Sequence, residues 1–151
     1  MSKTEQYTLL HKQLCGLMEG ESDLTANLAN AAALIHGTFG FWWTGFYLVR
    51  GRELVLGPFQ GPVACTRIPF GRGVCGTAWQ RAGTVVVPDV EEFPGHIACS
   101  SASRSEIVVP ILRDGAVLAV LDIDSRELAT FDQEDTAGLE AIAASLARLF
   151  Q

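Results

Sequence analysis

The reactive side chains of this sequence are cysteines and carboxylates, and the two kinds meet in one stretch of the chain. Cys99 lies in a run of small polar residues within GHIACSSASRSEIVVP, residues 95–110, and Glu106 interrupts the apolar strand that follows. A thiol in a loop beside an acid at the mouth of a strand suggests a reactive sulfur above an acidic pocket.

The cysteine spacing favours sulfur redox chemistry over a structural metal. Cys65, Cys75 and Cys99 are separated by 10 and 24 positions, and His96 is the only nearby imidazole. Structural zinc sites need close cysteine pairs, which this sequence lacks, so we expect no such metal. In the redox alternative, a thiolate attacks an oxidised substrate, becomes a sulfenic acid and is resolved as a disulfide by a second thiol.

Two cysteines carry local expectations. Cys15 lies one residue from the apolar stripe of a first helix, so we expect it to be buried as packing. Cys75, in GRGVCG, lies near the start of a short helix whose dipole favours its thiolate. The glycines of GRGVCG match a dinucleotide-binding pattern, but no βαβ pattern surrounds them, so they indicate a tight turn into the helix.

The last two strands bring three carboxylates together. If RDG, residues 113–115, forms a three-residue loop, Glu106 lies opposite Asp122, with Asp124 one pleat further along. A two-residue turn would instead place Glu106 opposite Ile123 and outside the patch. In the three-residue register, the other face of both strands is wholly apolar.

Three neighbouring carboxylates repel one another, and burial strengthens the repulsion, so the patch predicts a cation, a proton or both. Two carboxylates could hold a substrate ammonium while a third stays protonated as a general acid, an arrangement that suits an amino acid. A divalent metal is the competing occupant. A solvated acidic strand end is the alternative without function.

An aromatic strand offers a second wall for a pocket. Strand alternation places Trp43, Gly45 and Tyr47 on one face, with a residue that lacks a side chain between the two rings. This spacing predicts a notch for the apolar end of a small ligand. Core packing around a bulge at Gly45 is the alternative.

Composition limits the classes of partner. The 151 residues are 48% hydrophobic and 19% charged, which predicts a single domain over residues 1–151. The net charge is -6 and the basic residues are dispersed, so we expect no nucleic-acid partner. No stretch approaches the roughly 18 apolar residues needed to span a bilayer, and we expect a cytoplasmic protein with no membrane partner.

The periodicity predicts two helices, a hairpin, a short excursion, a second hairpin and a final helix, which is an α+β sandwich of an antiparallel sheet and helices. Ser22 is predicted to cap the second helix and Gly37 to end it, while Thr130 and Gln133 form a capping-box pattern for the last helix. The predicted strands are residues 41–49, 53–60, 64–69, 84–88, 105–112 and 116–124, with a short helix at 73–83.

Several motifs together resemble the free methionine-(R)-sulfoxide reductases, a group of stand-alone GAF domains. The motifs are GPFQGPVACTRIPFGRGVCGTAW, VPDV, FPGHIAC, SRSEIVVPI and VLDIDS. The resemblance implies a six-stranded antiparallel sheet flanked by N-terminal and C-terminal helices. It also implies free methionine (R)-sulfoxide as substrate, thioredoxin as reductant, no cofactor and, as in other GAF domains, a possible homodimer.

The resemblance also implies roles for individual residues. Cys99 would be the nucleophile that attacks the sulfoxide sulfur, Cys65 the resolving thiol and Cys75 an auxiliary thiol. Trp43 and Tyr47 would line the substrate pocket. The carboxylates would hold the ammonium and protonate the leaving oxygen, with the second task falling to Glu106 or Asp124; the three are Glu106, Asp122 and Asp124.

Two other functions fit parts of the pattern. A GAF domain that senses a small molecule without chemistry would keep its ligand response after loss of Cys99. A thiol redox switch would respond to oxidation with no dependence on a small substrate, and it leaves the acid patch without a role.

Overall fold

The computed structural model describes residues 1–96 and 102–151. Its elements, in chain order, are α1 (Lys3–Met18), α2 (Leu24–Phe39), β1 (Trp43–Arg50), β2 (Glu53–Gln60), β3 (Arg67–Pro69), α3 (Gly73–Arg81), β4 (Val85–Val87), a 3₁₀ turn (Val90–Glu92), β5 (Ser105–Arg113), β6 (Ala116–Ser125) and α4 (Gln133–Ala147). The strands form one antiparallel sheet in the order β3-β2-β1-β6-β5-β4. The predicted α+β class and six-stranded sheet are confirmed.

The two faces of the sheet pack into two different hydrophobic cores, because successive side chains along each strand point to opposite faces. On one face, Phe46, Ile107 and Leu121 are fully buried in a core shared with α1, α2 and α4. Burying each such side chain contributes about 1.5–3 kcal/mol. The other face carries Val108 and Val120 in a second core that includes residues of α3. None of the helices in the described ranges is both long enough and apolar enough to cross a membrane.

The second helix begins and ends later than predicted. Asp23, not Ser22, caps α2, and its carboxylate accepts the backbone N–H of Ala26 at 2.9 Å. The helix continues through Gly37 to Phe39, and its C-cap is Gly40, whose φ of 67° is the left-handed conformation that glycine adopts without strain. An interior glycine weakens a helix but does not end it, so packing of α2 on the sheet decides its length.

The last helix also begins later than the capping-box pattern predicted. Its N-cap is Asp132, which forms a capping box with Asp135, rather than Thr130 with Gln133. The hydroxyl of Thr130 instead donates to Ser125 Oγ at 2.6 Å. The Thr130 side chain is therefore engaged with the end of β6, and the cap falls to the next acceptor along the chain.

The turn between β5 and β6 has two residues rather than three. Arg113 pairs with Ala116, and both central residues, Asp114 and Gly115, have positive φ angles of 54° and 81°. Asp-Gly is the sequence that such a twisted two-residue turn favours. A bulge follows at once, because Leu118 has no partner between two paired positions of the ladder.

These two irregularities change the partner of Glu106 but not its face. Each shifts the register by one residue, and the combined shift of two keeps every side chain on the side predicted for it. Glu106 lies opposite Asp124, and Val108 lies opposite Asp122. The predicted pairing of Glu106 with Asp122 is wrong, whereas the prediction of one apolar face and one acidic face is confirmed.

A buried polar contact joins α1 to α4. The hydroxyl of Tyr7 donates to Asp135 Oδ1 at 2.7 Å, and Lys3 Nζ lies 2.8 Å from Asp135 Oδ2. Asp135 is 1% exposed, so these two partners compensate for the burial of its charge. Gly138 lies beneath the Tyr7 ring, where an added Cβ would come within 2.2 Å of Tyr7 Cγ.

Gly138→Ala is therefore expected to lower the free energy of unfolding by about 1–3 kcal/mol, because the methyl group must displace a buried ring. Urea denaturation followed by circular dichroism measures the change. Gly16→Ala is the matched control, since Gly16 is an exposed residue of α1 with nothing within 4 Å of an added Cβ. The control should gain up to about 1 kcal/mol. Equal effects of the two substitutions would contradict the packing argument.

Candidate active site

A small cavity of about 60 Å³ lies on the sheet face opposite α1, α2 and α4. Six of the eight residues predicted for the site line it: Trp43, Tyr47, Cys75, Glu106, Asp122 and Asp124. The remaining two are Cys65, which lies beside this region, and Cys99, which lies outside the described residues.

Strand register brings the three carboxylates together at the floor of the cavity. Glu106 and Asp122 are each only 6% exposed. Asp122 Oδ1 is buried and has no hydrogen-bond partner within the described part of the chain. An unpartnered buried carboxylate oxygen is costly, so a cation or a proton bound at this oxygen would be stabilising.

The pKa of each of the three carboxyl groups is raised, with a different set of causes for each. Burial, reinforced by the charges of Asp122 and Asp124, raises the pKa of Glu106 well above its ordinary value. Burial and the charge of Asp122 likewise raise the pKa of Asp124, which also accepts a hydrogen bond from Ser103 Oγ at 3.0 Å. Burial raises the pKa of Asp122 too, but hydrogen bonds from Glu106 and Cys75 oppose the shift.

The three carboxyl groups therefore titrate as one coupled cluster that retains protons above the pH range of an ordinary carboxyl, and the hydrogen bonds that Asp122 accepts favour its ionised form. An acid that stays protonated near neutral pH can donate to a leaving group, and an ionised neighbour can hold a cation. The arrangement thus fits the two tasks predicted for the acid patch.

The notch predicted between the two aromatic side chains is filled. The Trp43 ring lies over Gly45, where an added Cβ would meet the ring at 2.6 Å. The ring stacks against Phe59 and Tyr47, with centroids 5.3 and 6.0 Å away. The missing side chain of Gly45 thus makes room for the indole rather than for a ligand, and the space for a ligand lies beyond the ring.

The polar ends of the same aromatics anchor the segment that carries Cys65. Trp43 Nε1 donates to the carbonyl of Pro62, and the Tyr47 hydroxyl donates to the carbonyl of Cys65, each at 2.9 Å. These two bonds hold the connection between β2 and β3 against β1, and they fix where Cys65 lies relative to the cavity. Tyr47 is also buried, and this burial raises the pKa of its hydroxyl.

The cysteines differ in state and surroundings. Cys65 is disulfide-bonded, whereas Cys15 and Cys75 carry free thiols. Cys15 is exposed, contrary to prediction, because Leu14 occupies the apolar stripe of α1 and the next residue turns toward solvent.

Cys75 is buried, and the expected thiolate is contradicted. Burial and the charges of the nearby carboxylates, Asp122 first among them, raise the pKa of the Cys75 thiol well above its ordinary value. The dipole of a nine-residue helix does not outweigh burial beside an acid. Cys75 is therefore a protonated donor to Asp122.

The glycines of GRGVCG form the tight turn predicted for them. Gly71 and Gly73 have φ angles of 75° and 65°, which a residue with a side chain rarely adopts. Gly76 packs against the chain before the turn, since an added Cβ would lie 2.7 Å from the carbonyl oxygen of Pro69. The close approach sets the start of α3, and with it Cys75, against the acidic floor.

A metal ion is the competing occupant of this floor. One ligand atom each from Cys75, Glu106 and Asp122 lies within 4.8 Å of the others. Magnesium and calcium prefer shells of oxygen ligands, and the thiol does not suit them. The mixed set is better matched to shared protons and an ammonium group.

Three polar residues that line the cavity were not among the predicted site residues: Arg72, His96 and Ser103. Burial lowers the pKa of His96, against an opposing effect of the Asp122 charge. Ser103 lies just before β5 and Arg72 lies in the glycine-rich turn before α3, so neither residue belongs to a stretch with helix or strand periodicity.

The antiparallel sheet, the helices on one face and the small polar cavity on the other define a GAF domain, and the GAF domain family model matches residues 20–151. A free methionine-R-sulfoxide reductase of Escherichia coli is 47% identical over 150 residues, covering 99% of this chain and 91% of that protein. GAF domain-containing protein A of Dictyostelium discoideum is 58% identical over 142 residues, covering 93% of this chain and 90% of that protein.

A solved structure is also similar to this chain. The X-ray structure of free methionine-R-sulfoxide reductase from Neisseria meningitidis, in complex with its substrate, superposes with a TM-score of 0.97 at 54% identity. The match covers 99% of this chain and 91% of that chain. The chain therefore belongs to the free methionine-R-sulfoxide reductase family of GAF domains.

Proposed function

We propose that this protein reduces free L-methionine (R)-sulfoxide to methionine. The observation that carries the proposal is the buried carboxylate cluster at the floor of the cavity, in a chain of this family. Sulfoxide oxygen is a poor leaving group until it is protonated, and the raised pKa of Glu106 and of Asp124 suits either residue to supply the acid.

The chemistry proceeds in three steps. The Cys99 thiolate attacks the sulfoxide sulfur while a carboxylic acid protonates the oxygen. The resulting hydroxyl group passes to the Cys99 sulfur, the new sulfur–sulfur bond breaks, and methionine leaves as Cys99 becomes a sulfenic acid. The Cys65 thiol condenses with that sulfenic acid, releasing water and forming a disulfide. A dithiol protein, thioredoxin, then reduces the disulfide and restores both thiols.

The roles of the two resolving candidates differ because their surroundings differ. Cys65 is disulfide-bonded, and Cys75 is a buried free thiol with a raised pKa. These states support Cys65 as the principal resolving thiol. Cys75 serves as an auxiliary thiol and as a hydrogen-bond donor to Asp122.

The pocket selects a free amino acid. Asp122 holds the ammonium, and Trp43 and Tyr47 form the wall beside the methylsulfinyl end. A methionine sulfoxide within a peptide has no ammonium group, so its amide would leave the buried Asp122 charge without a partner. Activity on an oxidised protein equal to that on the free amino acid would contradict this selectivity.

The setting of the reaction follows the same reasoning. We propose a cytoplasmic enzyme, since disulfide recycling by thioredoxin requires a reducing compartment. Residues 1–151 act as one domain, because Tyr7 and Lys3 tie the first helix to Asp135 of the last. We also propose that two copies of this chain form a homodimer.

The test uses fully reduced protein without a recycling system. The protein is incubated separately with the R and S epimers of free methionine sulfoxide, and released methionine and lost thiols are counted per chain. We expect one methionine formed and two thiols lost with the R epimer only. No methionine from either epimer, with all thiols intact, would overturn the reductase and favour a sensor domain. Thiol loss without methionine would favour a redox switch.

Cys65→Ser is expected to release one methionine per chain but to fall by about 10-fold or more in steady-state turnover with thioredoxin, because the sulfenic acid loses its main resolving thiol. The Cys65→Ser, Cys75→Ser double variant should lose the remaining turnover. Cys15→Ser, which removes an exposed thiol of α1, is the matched control. Full turnover by the double variant would contradict the assignment.

A further inference from the structure

A histidine with an unused ring lines the acidic cavity. His96 is half-buried, so it can contact both the cavity and solvent. The rings of the other two histidines are engaged: His11 Nε2 lies 2.7 Å from Ser145 Oγ, and His36 Nδ1 lies 3.1 Å from Thr44 Oγ1. Within residues 1–96 and 102–151, the His96 ring has no hydrogen-bond partner. Both of its ring nitrogens are therefore available to carry a proton.

The other titratable or charged side chains around the cavity come from four elements: Tyr47 from β1, Arg72 and Cys75 from the start of α3, Glu106 from β5, and Asp122 and Asp124 from β6. Burial raises the pKa of Tyr47 and of Cys75, so neither group readily releases a proton near neutral pH. A guanidinium stays protonated throughout this range. Apart from the carboxyl groups themselves, His96 is therefore the one described cavity residue that both takes up and releases protons near neutral pH.

The carboxyl cluster needs a source of protons. A carboxyl group that protonates a sulfoxide oxygen becomes a carboxylate, and it must regain a proton before it can act again. Glu106 and Asp122 are each only 6% exposed, and a substrate in a cavity of about 60 Å³ leaves little room for water beside them. A group that reaches both the cluster and solvent would therefore speed the return of the proton.

Proton transfer from the His96 ring to the cluster is also favoured energetically. Burial lowers the pKa of His96, so its imidazolium gives up a proton more readily than an ordinary histidine does. Burial raises the pKa of Glu106 and of Asp124, so their carboxylates accept a proton more readily than ordinary ones. The charge of Asp122 opposes the shift of the His96 pKa, which places the ring within electrostatic range of the cluster.

We propose that His96 relays protons from solvent to the carboxyl cluster and so restores the general acid after each turnover. This inference rests on the proposed function and deepens it. The imidazolium donates one proton to the carboxylate, and the neutral ring then takes one proton from solvent. Ionisation of the Cys99 thiol releases one proton to solvent in the same turnover, so uptake and release balance.

The test compares the first turnover with steady-state turnover on free methionine (R)-sulfoxide. His96→Ala is expected to release the first methionine per chain as fast as the wild type, because the cluster of the resting protein is already protonated. Steady-state kcat with thioredoxin should fall about 10²-fold, the low end of the usual contribution of a positioned proton-transfer group. Free imidazole, which can occupy the space left by the side chain, should restore most of kcat and leave the wild-type rate unchanged.

His11→Ala, which removes a histidine of α1 on the other face of the sheet, is the matched control and should keep the wild-type kcat. An unchanged kcat in His96→Ala, a slow first turnover, or a loss that imidazole does not reverse would overturn the relay while leaving the reductase intact. If urea denaturation shows that His96→Ala is unfolded, His96→Gln decides by the same comparison of first and steady-state turnover. If the wild type formed no methionine, the proposed function would fail and the relay with it.

Discussion

Replacing Cys99 by serine is expected to abolish methionine formation from the free (R)-sulfoxide, even in a single turnover of reduced protein. A serine hydroxyl is not ionised near neutral pH, and it cannot become a sulfenic acid, so the loss should be about 10³-fold or more. The thiol that lines the cavity does not replace it, because burial and the neighbouring carboxylates raise the pKa of Cys75 and so favour its protonated form. Methionine released per chain, measured after rapid quenching, checks the prediction.

Cys15 provides a matched control for the substitution of Cys99. Cys15→Ser removes a thiol that is exposed on α1, on the far side of the sheet from the cavity, and should release methionine like the wild type. One methionine per chain from the Cys99→Ser variant would show that another group attacks the sulfur, and Cys75 would become the first candidate.

Glu106→Gln is expected to lower kcat by about 10²-fold to 10⁴-fold, the usual contribution of a positioned acid. Glutamine keeps the shape and the hydrogen bonding of the side chain but cannot donate a proton to the sulfoxide oxygen. Asp124→Asn tests the second candidate acid, whereas Asp122→Asn should mainly raise KM, because we propose that Asp122 holds the ammonium. Comparison of the three variants by steady-state kinetics assigns the acid.

The pH dependence gives an independent readout. Burial and neighbouring charges raise the pKa of Glu106 and of Asp124, so both stay protonated well above the range of an ordinary carboxyl. A general acid works only in its protonated form, so kcat of the wild type should fall as pH rises through the raised pKa of the cluster. The variant that lacks the true donor should lose this limb of the profile.

Stability separates a catalytic loss from unfolding. A carboxyl whose pKa is raised in the folded state is destabilised by ionisation as pH rises, so removing its charge should not weaken the fold at neutral pH. Glu106→Gln should therefore unfold at the same urea concentration as the wild type or at a higher one. Glu91→Gln, at an exposed position of the 3₁₀ turn, serves as the kinetic control. Unchanged kcat with a raised KM would make Glu106 a binding residue instead.

The elements were largely predictable because their signals are local. The second strand was predicted as residues 53–60 and is Glu53–Gln60, since β-branched and aromatic residues end there at turn sequences. The third strand was predicted over 64–69 and is only Arg67–Pro69; within the part that is not strand, the carbonyl of Cys65 accepts a hydrogen bond from the Tyr47 side chain. Whether a residue pairs with a neighbouring strand depends on residues that are distant in sequence, so local composition does not predict it.

The sequence by itself determined that the acids share one face of the sheet and the apolar side chains the other. Strand alternation has a period of two, so two single-residue shifts of register left that division intact. Only the tertiary structure decided which acid Glu106 meets, because a turn type and a bulge act together. Likewise, only packing placed an indole over Gly45 and buried the Cys75 thiol beside Asp122. Reactivity depends on solvent and neighbouring charge, and both come from parts of the chain that are distant in sequence.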